Sequence, residues 1–113
     1  MTIILTMPDE RRFRIVYDHQ VATHLASIDS KHHSLIHRTI EEQLTVQPDV
    51  ETRNRKPLRR PSALGGVWEL RLGPDNRFRV FYNIDRIAAR VGVVAIGEKD
   101  DSTLRIGGEV FDL

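Results

Sequence analysis

The chain of 113 residues contains no cysteine. That absence excludes a disulfide framework, a thiolate zinc site and a cysteine nucleophile together. No apolar run approaches the roughly 20 residues needed to span a bilayer. The N-terminus also lacks the form of a secretory signal. Ile3, Ile4 and Leu5 are followed by Asp9 and Glu10 before the first basic pair, Arg11 and Arg12, whereas a signal peptide needs a basic start and a longer apolar stretch. A cytoplasmic chain with no membrane partner is the expectation. There is no HExxH pattern, so His33 and His37, four apart, lack a marked third ligand. Ser62 and Ser102 lie outside any nucleophile elbow, and Gly65-Gly66 and Gly107-Gly108 lack the rest of a phosphate loop. Neither a metal nor a cofactor is expected. No internal repeat or low-complexity segment marks a second domain, so residues 1–113 read as one domain.

Acidic residues are scarce in one stretch. The formal net charge is +1, which by itself argues against a polyanion partner. Residues 52–79, however, hold Arg53, Arg55, Lys56, Arg59, Arg60, Arg71, Arg77 and Arg79 against only Glu69 and Asp75. That segment carries +6 and the remainder −5. A local field of this kind steers a polyanion whatever the net charge, and Arg suits phosphate because its planar fork binds two oxygens at once. A solvated face or an acidic protein partner would account for the same run.

What is present divides by period. Residues 12–17 alternate, with Phe13, Ile15 and Tyr17 on one side, which predicts a first strand. Asp18 can cap a helix whose apolar positions are Val21, Leu25 and Ile28. Asp29 or Ser30 can end it and cap a second helix bearing Leu35, Ile36, Ile40 and Leu44, stopped by Pro48. The short join predicts an antiparallel helical hairpin. Residues 49–67, with Pro57, Pro61, Gly65 and Gly66, read as a basic loop. Strands then follow at 68–72, 77–83 and 90–96, with a short edge piece at 104–106. The third of these is apolar on both sides and is expected to be central. Trp68 and Phe78 read as core. His19 and His24 read as packing or surface groups on the first helix. The fold class is therefore α+β: an N-terminal strand, a helical hairpin, then an antiparallel β-meander, with the helices on one face of a single sheet.

The turn at Gly73-Pro74-Asp75-Asn76 sets the register. For Trp68 and Leu70 to share a face with Phe78, Val80 and Tyr82, paired numbers must sum to an even value. A three-residue loop at 74–76 sets Arg71 opposite Arg79; a five-residue loop sets it opposite Arg77. Either way Glu69, Arg71, Arg77 and Arg79 gather on the outer face. Like charges directly opposite destabilise a sheet, so the cluster implies an anionic partner unless Glu69 and solvent neutralise it. Phe81 also faces outward, placed either to stack a base or to be covered by a partner element.

The runs Trp68-Glu69-Leu70-Arg71-Leu72-Gly73, Arg77-Phe78-Arg79-Val80-Phe81-Tyr82 and Val94-Ala95-Ile96-Gly97-Glu98-Lys99 resemble the sheet of the RelE/ParE superfamily of bacterial toxins. Thr52-Arg53-Asn54-Arg55-Lys56-Pro57-Leu58 and Ile106-Gly107-Gly108-Glu109 look like one subgroup of it. The resemblance covers essentially the whole chain. It implies the toxin of a type II toxin–antitoxin system, causing growth arrest through inhibition of translation. The RelE-like branch is an mRNA interferase, an endoribonuclease that cuts mRNA on the ribosome without a metal: a ribose 2′-hydroxyl attacks the adjacent phosphate and the 5′-oxygen leaves. By motif matching, Arg79 falls at a transition-state-binding position and Arg71 at a cationic position on the preceding strand. Lys56 lies where members carry a Glu or Lys base, and Lys99 at a basic position after the last long strand. Glu69 occupies a place often basic in the nucleases and is a second candidate base. Arg53, Arg55, Arg59, Arg60, Arg77, Phe81 and Arg105 complete the expected RNA-binding set.

RelE-like nucleases usually carry a Tyr or His near the end of the chain, and neither follows Tyr82 here; Arg105 is the nearest candidate. This departure keeps two other readings open: a non-catalytic ParE-like inhibitor of DNA gyrase, or a module that only binds nucleic acid or its antitoxin. The partners implied are a cognate antitoxin and the ribosome with its mRNA. The antitoxin is expected to bring an amphipathic, acidic segment to the face of residues 52–79 or to the groove beside the helices.

Overall fold

The computed structural model describes residues 11–60 and 65–111. Residues 1–10 and the 61–64 part of the expected loop lie outside the described residues. The order is β1 (Arg14–Tyr17), α1 (Gln20–Ala26), α2 (His33–Leu44), β2 (Arg55–Pro57), β3 (Trp68–Leu72), β4 (Phe78–Asp85), β5 (Arg90–Asp100), β6 (Thr103–Ile106) and β7 (Glu109–Phe111). All seven strands join one sheet in the order β2-β3-β4-β5-β6-β7, with β1 beside the first half of β5. The expected α+β arrangement is present. The β1–β5 pairing is parallel, and every other named strand pair is antiparallel. Among the described residues no helix is long and apolar enough to cross a membrane.

Alternation decides which face is buried. Leu70, Leu72, Phe78, Val80 and Tyr82 turn to the helices and join Val21, Ile28, Ile36, Ile40 and Leu44 in one core. Each large apolar side chain enclosed there stabilises by about 1.5–3 kcal/mol. Trp68 packs against this core and stacks on Tyr82 at 6.0 Å between ring centroids. Asp18, one residue before the N-cap position of α1, accepts the Gln20 N–H at 3.1 Å, and Asp29 accepts from Lys31 at the short helical turn before α2. His33 Nε2 lies 2.8 Å from Leu25 O and 2.9 Å from Ile28 O, so its ring ties α2 to the end of α1.

Tyr82 Oη donates to Pro48 O at 2.8 Å inside the core. Tyr82→Phe removes the donor and leaves that buried carbonyl unpaired, which is expected to cost about 1–3 kcal/mol. A urea midpoint lowered at unchanged slope would show it.

Two features depart from the sequence expectation. β2 lies within the stretch read as loop. It is three residues long and ends in Pro57, so no alternation betrays it, and Pro is tolerated there because β2 is an edge. β7 follows β6 through Gly107 and Gly108, at φ +63° and +83°. Those are the angles a two-residue hairpin turn needs, and glycine adopts them without strain.

β5 changes parity at a bulge. Phe81 pairs with Ala95 but Tyr82 pairs with Val93, leaving Val94 unopposed. The helix α1 satisfies the interrupted ladder: Gln20 Nε2 donates to Val94 O at 2.7 Å, and His24 Nδ1 accepts the Ile96 N–H at 3.2 Å. His24 is therefore a neutral acceptor, and burial lowers its pKa, with Asp18 opposing. A depressed histidine is neutral in the fold while the unfolded chain takes up protons first. The stability tied to His24 is thus complete above its ordinary value of 6.5 and is lost as pH falls through the lowered one. Urea midpoints in wild type are expected to fall between pH 7 and pH 5, with a smaller fall in His24→Asn.

Candidate nucleic-acid interface

The β3–β4 hairpin pairs Arg71 with Arg79 and Leu70 with Val80, the register that a loop at 74–76 requires. Asp75 and Asn76 take positive φ in that loop, as short polar side chains tolerate. Two guanidinium groups thus lie side by side on the outer face. Glu69 resolves the conflict. Arg71 Nε donates to Glu69 Oε1 at 2.7 Å, and Arg79 Nη1 lies 3.6 Å from the same oxygen. Glu69 is 2% exposed. Arg79 also donates from Nε to Asn76 O at 3.1 Å, and its side chain is 7% exposed. Burial pulls the Arg79 pKa down, Glu69 raises it and Arg71 lowers it. Arg71 keeps 32% of its side chain exposed, so it is the cation of the group that solvent reaches.

Lys56 pairs directly with Glu69 across β2–β3, and cross-strand partners share a face. Lys56, Glu69, Arg71 and Arg79 therefore form one cluster. Arg53, Arg59 and Arg60 are exposed on either side of β2, making this sheet edge a basic margin. Lys99 is elsewhere. It lies three strand intervals from β2 and four residues along β5 from Ala95, about 14 Å across and about 13 Å along. It lines a cavity of about 690 Å³ at the end of the sheet with Arg77, Arg79 and Arg105, facing Asp75, Glu98, Asp100 and Asp101. Four cations meet four carboxylates there, so the excess positive charge lies along β2 and β3 rather than in this cavity.

Three expected binding residues are placed differently. Arg55 is buried, its guanidinium donating to Val50 O and Gln43 O; it fastens β2 to the end of α2 and is not available to RNA. Arg77 has helical backbone angles, so alternation does not reach it. Its guanidinium pairs with Glu98 and lies 5.7 Å from the Phe78 ring, outside the Glu69-centred ion pairs. Phe81 faces outward yet is fully buried, in a second cluster with Ala95, Leu104 and Ile106 and with Leu58, Val94 and Phe111 against it. Gly66 sits over it so closely that a Cβ there would lie 2.8 Å from Phe81 Cβ. The chain's own loop and β6–β7 cover Phe81, which removes it as a base-stacking platform. Arg105 is exposed on β6, opposite Glu98.

The polar caps of the bulge, Gln20 and His24, escaped the sequence reading. Their four-residue spacing on α1 is the signal that could have marked them as one face.

This architecture matches a known one. A chain in the crystal structure of the RelBE2 toxin–antitoxin complex from Mycobacterium tuberculosis superposes with a TM-score of 0.64, over 80% of this chain and 94% of that one, at 21% identity. No family model matches the chain, and no curated protein matches it in sequence. The fold is RelE-like, in agreement with the resemblance read from the strand motifs.

Proposed function

We propose that the chain is the toxin of a type II toxin–antitoxin pair and that it inhibits translation by cutting mRNA on the ribosome. The observation that carries this reading is the Lys56–Glu69–Arg71–Arg79 cluster, set beside an exposed basic margin on a RelE-like sheet. Cleavage by 2′-hydroxyl attack needs positive charge where the phosphorane forms. Arg71 reaches that charge directly, and Arg79 supports it from beneath. Glu69 holds both guanidinium groups in place; with Oε1 occupied and the residue buried, it serves as a positioning residue rather than a base. Lys56, half-buried across from Glu69, is the group placed to exchange the 2′ proton. The 2′-oxygen gives its proton to the Lys56 amine and bonds to phosphorus, the bond to the 5′-oxygen breaks, and that oxygen takes a proton from water, whose hydroxide recovers the proton from Lys56. The products are a 2′,3′-cyclic phosphate and a 5′-hydroxyl.

A cognate antitoxin is the protein partner in this reading, its acidic segment lying on the β2–β3 margin. Induced expression tests the assignment. Growth is expected to stop with loss of amino-acid incorporation while plasmid supercoiling is unchanged. Altered supercoiling with translation intact would replace it by gyrase inhibition, and normal growth with folded protein present would refute the toxin assignment.

A further inference from the structure

The same outer face continues past the ridge over Phe81 to the opposite end of the sheet. There Arg14 on β1 and Arg90 on β5 are direct neighbours in register. Arg12 precedes Arg14 by two residues, with buried Phe13 between them turned to the core, so both arginines point away from it. Adjacent like charges destabilise a sheet. The Arg71–Arg79 pair is relieved by a shared Glu69. Here, among the described residues, Arg90 has only Asp85, at 3.7 Å, and one oxygen of Asp85 is already taken by the Ala88 N–H. Among the described residues no carboxylate lies within ion-pair distance of Arg12 or Arg14.

Beside these arginines lies a shallow groove of about 310 Å³ lined by Val16, Asn83, Ile84, Asp85, Arg90 and Gly92, with Asp85 engaged by Arg90 and the Ala88 N–H. Val16 is 40% exposed. A Cβ built on Gly92 would meet nothing within 4 Å, so the glycine leaves an open floor. An apolar floor with Arg90 at its margin, and Arg14 and Arg12 following along β1, suits the face of a base or a ribose with its phosphates on the arginines. Arg12 and Arg14 stand two strand rises apart, about 6.6 Å, a spacing comparable to that of successive phosphates on one strand.

We propose that this end of the sheet is a second station for single-stranded RNA, with phosphates on Arg12, Arg14 and Arg90 and a base or ribose over Gly92. It rests on the proposed RNA-cutting function and extends the path of the strand beyond the Lys56–Arg71 cluster. An acidic protein segment is the competing occupant. The groove favours RNA because its floor is apolar and open where a polyanionic peptide would gain little.

Fluorescence anisotropy with a labelled oligouridylate on the full chain, across a salt series, tests this. Arg12→Ala/Arg14→Ala is expected to weaken binding on the order of tenfold at low salt. It should flatten the salt slope by about 1.4, at about 0.7 for each phosphate no longer neutralised. Gly92→Leu fills the groove without altering charge and is expected to weaken binding at an unchanged slope. Both variants should melt as wild type does. Wild-type affinity in both variants would overturn the proposal, as would equal displacement of the RNA by polyglutamate, which would mark an acidic-protein site. Arg71→Ala separates the two readings. If it abolishes binding while the far-end variants bind normally, the cluster stands and the second station falls; if only the far-end variants lose binding, the station stands and the cluster falls. A wild-type chain that binds no oligouridylate yet cuts ribosome-bound mRNA refutes the station alone.

Discussion

Glu69→Ala is expected to destabilise the fold by about 3–5 kcal/mol, the cost of leaving a buried charge without its partner. Glu69 is almost wholly enclosed, and its Oε1 serves both Arg71 and Arg79. Without it, Arg79 remains buried beside a second guanidinium directly opposite on β3, with no carboxylate between them. Arg71 can swing into solvent, but Arg79, held at Asn76 O, cannot. Glu69→Gln keeps the shape and an acceptor oxygen and is expected to lose less. Glu69→Leu with Arg79→Met removes both buried charges and should recover most of the stability, since apolar residues of similar volume commonly replace a buried ion pair without loss. Urea midpoints of the three variants decide this. A loss below about 1 kcal/mol in Glu69→Ala would show that Glu69 is not the counterion of the hairpin.

Arg71→Ala is expected to slow cleavage of ribosome-bound mRNA by about 10²–10³-fold, the range for removing one donor to transition-state charge. Its melting temperature should fall less than that of Glu69→Ala, because Arg71 is partly exposed and Arg79 still faces Glu69. Arg71→Lys restores the charge but not the planar fork and should recover only part of the rate. Growth arrest should weaken in the same order. Full activity in Arg71→Ala would remove Arg71 from the site and leave the basic margin as a binding surface only.

Much of the fold was legible because its two periods are clean. Val80 and Tyr82 cannot reach the helices in any register that breaks the even sum, so the hairpin fixed its own pairing. The functional face was legible only in part. Arg77 misled because alternation assumes extended backbone, and its angles are helical. Phe81 misled because its cover comes from residues distant in sequence: Leu58 and Gly66 in the connection between β2 and β3, and Leu104 and Phe111 on strands too short to show a period. Arg55 sits in a basic run like its neighbours, and only the carbonyls of Val50 and Gln43 distinguish it. The bulge at Val94 shifts parity halfway along a strand that is apolar on both sides, so no pattern announced it. Glu69 was visible as the odd acid among cations; that it is shared by two of them required the register.

The most direct measurement is incubation of purified chain with mRNA-programmed ribosomes, followed by chemical analysis of the RNA ends. Cut mRNA is expected, bearing 2′,3′-cyclic phosphate and 5′-hydroxyl ends, formed equally well in the presence of a metal chelator and lost in Arg71→Ala. Intact mRNA after incubation with chain shown to be folded would contradict the proposed cleavage.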